Sequence, residues 1–448
     1  MFKQGEPVEI STSTQVFKGV FINEEKDFLV VKLKNGYNIG IAKRNIKDKK
    51  SVDKPEQKPK AKEEIKKEKP NLKLPLISIL HTGGTIASKV DYSTGAVIAQ
   101  FTESDILRLF PEIKELANIS SKLIRNMQSE MIRFAHYNLL AKAVEEEVKK
   151  GADGIILTHG TDTLHYTAAA LAFALEDIGI PVILVGSQRS SDRGSSDSAL
   201  NLLAAAQFIV NSEFTGVAIC MHENNSDDTC LILPPCKTRK MHTSRRDAFR
   251  PINANPIARI SVEKKKIDFI SSYEKNDTSK QKLAEPGKQS FPDKKKKLVL
   301  KLFNEDLKIG LVKPHVQMFA SEVLAYKDFD GLVIELLGIG HVPTMKVDEF
   351  TEENEKILKS IEELARKMPV VAAPQTIYGR INMNVYTPGR QLIDAGVIGN
   401  YTDMTPETAF IKLAWLLSNY KKEEMADLFS KNLRGEISER SEKENFLI

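Results

Sequence analysis

The sequence is short of cysteine: only Cys220, Cys230 and Cys236 occur in 448 residues. An odd, low count without metal-type spacing argues against a disulfide framework and points to a reducing, intracellular setting. Long apolar runs are missing too. Nothing approaches the ~18–20 uninterrupted apolar residues of a membrane span. The opening "MFKQGEPVEI" has no apolar h-region of a secretory signal. A cytoplasmic protein without membrane association is the expectation. The formal net charge of +5 is small for this length, so charge alone does not indicate a nucleic-acid binder. There is no Gly-x-x-x-x-Gly-Lys-Ser/Thr loop and no Asp/Glu constellation suited to Mg²⁺. His81, His165 and His242 have no Cys or carboxylate set to complete a metal site. Neither ATP nor a metal is therefore expected on this chain.

What the sequence does contain falls into four stretches. Residues 6 to 46 carry short Val-, Ile- and Phe-rich runs, "EPVEIST", "QVFKGVFI", "FLVVKLKNG" and "YNIGIAKRNI", with Asn35-Gly36 as a hairpin signal. This spacing predicts a small all-β barrel over residues 1–47. Lys, Glu and Pro then dominate "KDKKSVDKPEQKPKAKEEIKKEKP". Such a segment cannot bury enough surface to offset its ordering entropy, so residues 48–71 read as a charged linker.

From Leu72 the pattern is α/β. The continuous apolar runs "LKLPLISIL", "GIILTH", "PVILVG" and "GVAICM" are those of strands buried on both faces. Helical patterns such as "YNLLAKAVEEEVKK" lie between them, which predicts mostly parallel sheets with right-handed crossovers. A second polar stretch, Glu263 to Lys297, reads as an excursion without a functional assignment. Strands resume with "LKIGLVKP", "GLVIELLGIG" and "MPVVAAPQT". The expected division is a larger N-terminal α/β domain over 72–300 and a smaller C-terminal one over 301–448.

Two loops carry candidate chemistry. In "ISILHTGGTIAS" an apolar run ends at Gly83-Gly84 and Thr85 follows; in "GIILTHGTDTLHYTAAAL" another ends at His159-Gly160 before Thr161-Asp162. Each glycine turn lets the chain leave its strand sharply and approach a ligand. Each places a hydroxyl at the carboxyl end of a strand, where ligands bind in open sheets. The plain alternative is that Thr85, Thr161 or Asp162 is only a helix cap.

Together "TGGTIAS" and "THGTDT" resemble the two signatures of the bacterial-type asparaginase/glutaminase family. The resemblance runs from about Leu74 to the end, through "VGSQRSSDRGSSDSALNLLAA", "LPPCKTRKMHTSRRDAF" and "ELLGIGHVP". A barrel and charged linker ahead of such a body, with the tail "RGEISERS", are similar to one subgroup, the D subunits of archaeal glutamyl-tRNA(Gln) amidotransferases. The resemblance implies an asparaginase-like α/β fold and hydrolysis of a side-chain carboxamide, of glutamine or asparagine. Its four catalytic positions fall on Thr85, Thr161, Asp162 and Lys240. Thr85 would form the acyl-enzyme, and Thr161, Asp162 and Lys240 a relay, although which Thr attacks is open in the sequence. Tyr92 aligns with a loop Tyr placed beside the first Thr. Ser129 and Glu130 align with binders of the substrate's charged end; Met131 departs from the Asn or Asp common there.

Taken bare, Lys240 would be a surface lysine, and its assignment rests on the family spacing to Phe249. An ordinary lysine, with a pKa of about 10.4, is a poor base at neutral pH. The relay therefore demands desolvation of the side chain. His159 is the usual type of general base, but the family pattern gives it no proton-transfer role.

The subgroup also implies partners: an ATP- and Mg²⁺-using E subunit of the amidotransferase, Glu-tRNA(Gln) reached through the complex, and a homodimer within a two-plus-two heterotetramer. No cofactor is implied for this chain itself. Two other readings are open. One is a free-standing L-asparaginase with an appended barrel. The other is a nucleic-acid-binding module on an inactive α/β body, against which the four intact catalytic positions argue.

Overall fold

A computed structural model describes residues 2–3, 5–33, 38–52, 71–83, 89–90, 97–98, 111–189, 195–272 and 297–446. Thr85, Tyr92 and the Asn35-Gly36 turn lie outside the described residues.

The N-terminal unit is a five-stranded antiparallel sheet. Pro7–Thr12 pairs with both Val16–Glu24 and Ile46–Ser51. Irregularities at Ser11/Thr12 and Phe21/Asn23 break the ladder, and bulges of this kind bend a strand. Val8, Ile10, Phe21, Leu29, Val31 and Ile41 fill its small core. The last strand corrects the expected boundary. "IKDKKS" pairs along Pro7–Thr12, so ordered structure extends through Ser51 rather than ending at residue 47. Its backbone finds a partner while its lysines face solvent, a pattern common on sheet edges; composition alone registers only the lysines.

The main body is α/β, with two sheets and helices packed against them. Its large sheet has eight strands. Five run parallel, in the spatial order Gly216–His222, Pro181–Val185, Gly154–Thr158, Leu76–His81, Asn118–Leu123. Thr229–Leu233, Ala258–Ser261 and Lys266–Phe269 extend one edge antiparallel. Part of the polar excursion expected after Glu263 is therefore the edge strand Lys266–Phe269. The smaller sheet is fully parallel, Ile309–Val312, Gly331–Leu336 and Val370–Pro374. Val299–Leu300 pairs back onto Leu175–Glu176, and the first strand of the smaller sheet begins at Ile309.

A shared core joins the two units. The helix Leu164–Ala174 is apolar nearly all round, and every residue but Tyr166 is buried, as expected of a helix enclosed on all sides. It packs against the helix Pro406–Asn419 of the second unit, with Phe173 and Trp415 ring centroids 5.1 Å apart. The two helices and both sheets contribute to one hydrophobic cluster. As a result, the loop before the first helix and the segment before the second are held in fixed relation, and the site lies at that junction.

Candidate active site

Leu76–His81 and Gly154–Thr158 are neighbours with His81 opposite Thr158. The two signature loops therefore leave the sheet side by side at its carboxyl edge. They are also tied together: the Thr82 backbone N–H and hydroxyl both donate to the Thr158 carbonyl, at 3.2 and 3.0 Å. Gly83 has φ +103°, and a Cβ there would sit 2.6 Å from the Met127 carbonyl oxygen. Only glycine fits that approach and conformation.

The second loop is shaped by absent side chains in the same way. A Cβ on Gly160 would meet Ser129 Oγ at 2.8 Å, and one on Gly186 would meet Thr161 Cγ2 at 2.8 Å. Thr163, not Thr161 or Asp162, occupies the N-cap position of the helix Leu164–Ala174. Its hydroxyl donates to the Ser129 carbonyl at 2.7 Å instead of capping. Thr161 and Asp162 are thus free of the capping role that their types suggest.

Their partner is Lys240. The Lys240 Nζ donates to Thr161 Oγ1 at 2.9 Å and to Asp162 Oδ1 at 2.8 Å. Its side chain is only 12% exposed, against 65% for Asp162. Most of the lysine stem is desolvated while the carboxylate faces the open side. Residues almost 80 apart in sequence thus form one hydroxyl–amine–carboxylate unit, a geometry suited to moving a proton to and from a threonine.

Ser129 is buried, and its Oγ has no hydrogen-bond partner among the described residues. It sits in the short turn Ser129–Met131 against Gly160, while Glu130 and Met131 are exposed. A buried hydroxyl left unpaired beside a candidate site is the kind of group a ligand satisfies.

The buried histidines have other tasks. His159 Nδ1 lies 2.6 Å from the Gly160 carbonyl, so it donates there, and Nε2 accepts from the Thr167 hydroxyl at 2.9 Å. Burial pushes its pKa down to about 4. With both nitrogens engaged, it fixes the loop and does not point at the relay. His81 bridges Thr158 and Ser121, at 2.9 Å to each, and burial lowers it to about 4 as well. Among the described residues, no group of three His, Cys, Asp or Glu side chains is arranged to hold a metal, and no helix is long and apolar enough to cross a membrane.

Sequence reasoning misses the support around Lys240. Lys237 and Asp403 form a buried ion pair at 2.8 Å, and Arg239 meets Glu407 at 3.0 Å. A capping pattern at "TPET" predicts the start of the helix that carries Glu407, but no local rule connects it to positions more than 160 residues earlier.

Comparison with known proteins finds relatives along nearly the whole chain. Family models match in chain order: a GatD N-terminal domain at residues 2–50, an asparaginase N-terminal domain at 76–274, and a glutaminase/asparaginase C-terminal domain at 308–429. The thermostable L-asparaginase from Thermococcus kodakarensis superposes with a TM-score of 0.65 at 28% identity, covering 81% of this chain and 99% of its own. L-asparaginase I from Vibrio cholerae gives the same TM-score at 25% identity, covering 82% and 99%. Similarity to the D subunit of glutamyl-tRNA(Gln) amidotransferase extends further along the chain. The Methanococcus maripaludis protein is 40% identical over 440 residues, 97% of this chain and 98% of its own. The Pyrococcus furiosus protein is 41% identical over 428 residues, 95% and 90%. With its small N-terminal antiparallel sheet, its asparaginase body and its near full-length match, the chain belongs to the family of glutamyl-tRNA(Gln) amidotransferase D subunits.

Proposed function

We propose that the chain is the amidase component of a tRNA-dependent amidotransferase, releasing ammonia from glutamine or asparagine. The observation that carries this reading is the bridge of Lys240 Nζ to both Thr161 Oγ1 and Asp162 Oδ1. Thr85 is the nucleophile. Its hydroxyl oxygen bonds to the carboxamide carbon, the hydroxyl proton leaves through the relay, and the carbonyl oxygen takes the negative charge. Collapse of this adduct breaks the C–N bond, and the nitrogen departs as ammonia after accepting a proton. Water then attacks the resulting ester, its proton passes by way of Thr161 and Lys240 to the Thr85 oxygen, and the ester C–O bond breaks to release the acid. Asp162 fixes the Lys240 amine beside Thr161. Ser129 and Glu130 receive the charged end of the amino acid; the unpaired Ser129 Oγ supports this. Tyr92 orients Thr85.

The ammonia is consumed by an ATP- and Mg²⁺-using partner, the amidotransferase's E subunit, which converts Glu-tRNA(Gln) to Gln-tRNA(Gln). The assembly is a two-plus-two heterotetramer around a homodimer, in the cytoplasm, and the chain itself holds no cofactor. Large apolar residues on loops after the strands of the smaller sheet, Val316 (94% exposed), Val347 (73%) and Phe350 (86%), support burial against another chain. The test is amide release by Thr85→Val, which keeps shape and removes the hydroxyl. Release should fall by orders of magnitude, and added ammonium should restore tRNA amidation when the partner is present. Wild-type hydrolysis by this variant would remove Thr85 from the mechanism.

A further inference from the structure

The strand that carries Lys240 is not part of either large sheet. Among the described residues, Thr238–Lys240 pairs only with Phe249–Pro251, in a two-stranded ladder. So short a hairpin is marginal by itself, yet it must hold one amine within hydrogen-bond distance of two groups on another loop. Its support comes from the smaller α/β unit, at the start of the helix Pro406–Asn419. Three attachments converge there. The Thr408 hydroxyl donates to the Cys236 carbonyl at 2.9 Å. Asp403 pairs with Lys237 at 2.8 Å, with both side chains at most 2% exposed. Glu407 pairs with Arg239 at 3.0 Å.

Asp403 is itself held from behind. The Ser438 backbone N–H, in the C-terminal tail, donates to Asp403 Oδ1 at 3.1 Å, and Asn253 Nδ2 donates to its carbonyl at 3.0 Å. Glu407 also faces His165 of the helix that follows Thr161 and Asp162, at 4.0 Å. Glu407 therefore lies between the two elements whose alignment defines the relay: the Lys240 hairpin through Arg239, and the second signature loop through His165.

We propose that Asp403 and Glu407 are positioning residues for Lys240, so that the smaller α/β unit sets the distance between the amine and the Thr161–Asp162 pair. This rests on the reading that Lys240 takes part in amide hydrolysis. Each carboxylate acts through the neighbour of Lys240 that it holds. Release of either attachment leaves Thr161 and Asp162 in place but lets the amine wander, and small misplacements of reacting groups are costly in rate.

The experiment compares Glu407→Gln and Asp403→Asn with Ile361→Ala. Ile361 is fully buried in the core of the same unit, away from the hairpin, and its truncation destabilises without touching the clamp. Each full-length variant is assayed for ammonia release from glutamine and asparagine in the assembly in which the wild type is active. Glu407→Gln should lower kcat roughly 10- to 100-fold, leave KM near wild type and displace the pH–rate profile. Ile361→Ala should lower Tm and leave kcat and the profile unchanged. Because Asp403→Asn leaves Lys237 buried and unpaired, it carries the larger risk to folding, and Glu407→Gln decides the matter. A Glu407→Gln enzyme with wild-type kcat and profile overturns the proposal, as does an Ile361→Ala enzyme with the same kcat loss and profile change. A Lys240→Met enzyme that hydrolyses normally would instead overturn the reading on which the proposal rests.

Discussion

Lys240 Nζ is held by hydrogen bonds to Thr161 and Asp162, and the charge and the amine of that bridge can be removed separately. Asp162→Asn keeps the shape but removes the charge opposite the amine; Lys240→Met keeps the stem but removes the amine. Each should reduce ammonia release by roughly 10²- to 10⁴-fold, the usual range for positioned acid–base groups, with circular dichroism unchanged. Unaltered rates in both would detach the bridge from the chemistry. Gly160→Ala tests the loop. The added methyl would meet Ser129 Oγ at 2.8 Å, so a loss of about 1–3 kcal/mol in denaturant unfolding is expected. The double variant with Ser129→Gly should recover much of that loss; no recovery would mean the strain lies elsewhere. Thr161 and Asp162 stand out in the sequence through the signature "THGTDT", and Lys240 only through its spacing to Phe249; the structure brings the three within hydrogen-bond distance. Arg239, Glu407, Lys237 and Asp403 do not stand out, because a charged side chain reads as surface until its partner, more than 160 residues away, is brought to it.

At the scale of elements, apolar runs such as "GIILTH" and "PVILVG" were legible because strands covered on both faces must be apolar throughout. The antiparallel edge was less so. Lys266–Phe269 is half polar and sits within a lysine-rich stretch, and its backbone pairing leaves little trace in composition. "IKDKKS" misled in the same way. The C-terminal tail is tied to the body at several points, among them the ion pair of Lys412 with Glu436 at 2.6 Å, both fully buried, and that of Arg434 with Glu176 at 2.9 Å. Glu436 also accepts from the Leu433 and Arg434 backbone N–H groups. Glu436→Gln leaves the lysine without its counter-charge and should cost about 3–5 kcal/mol, seen as a lower urea midpoint. A change below about 1 kcal/mol would show that this ion pair contributes little to the fold.

At the scale of the whole molecule, stability should depend on acidity through buried histidines. Burial lowers His81 and His159 to about 4 and His165 to about 3, whereas an unfolded histidine titrates near 6.5. Between those values the unfolded chain binds more protons, so stability rises with pH and is lost as pH falls from about 6.5 toward 4. Each histidine contributes up to about 3 kcal/mol to that loss. Urea midpoints measured across this range should fall with acid, and His159→Asn should flatten the slope by about one proton; a flat wild-type profile would contradict the burial argument. The proposal for the whole molecule, with its N-terminal sheet, asparaginase body and tail, is that amide hydrolysis serves a tRNA-linked partner. The most direct test is ammonia release from glutamine and asparagine by the purified chain, alone and then with the E subunit and glutamylated tRNA(Gln). Weak release alone that rises with partner and tRNA is the predicted result. Fast hydrolysis of asparagine by the chain alone, indifferent to partner and tRNA, would contradict it and identify a free-standing asparaginase.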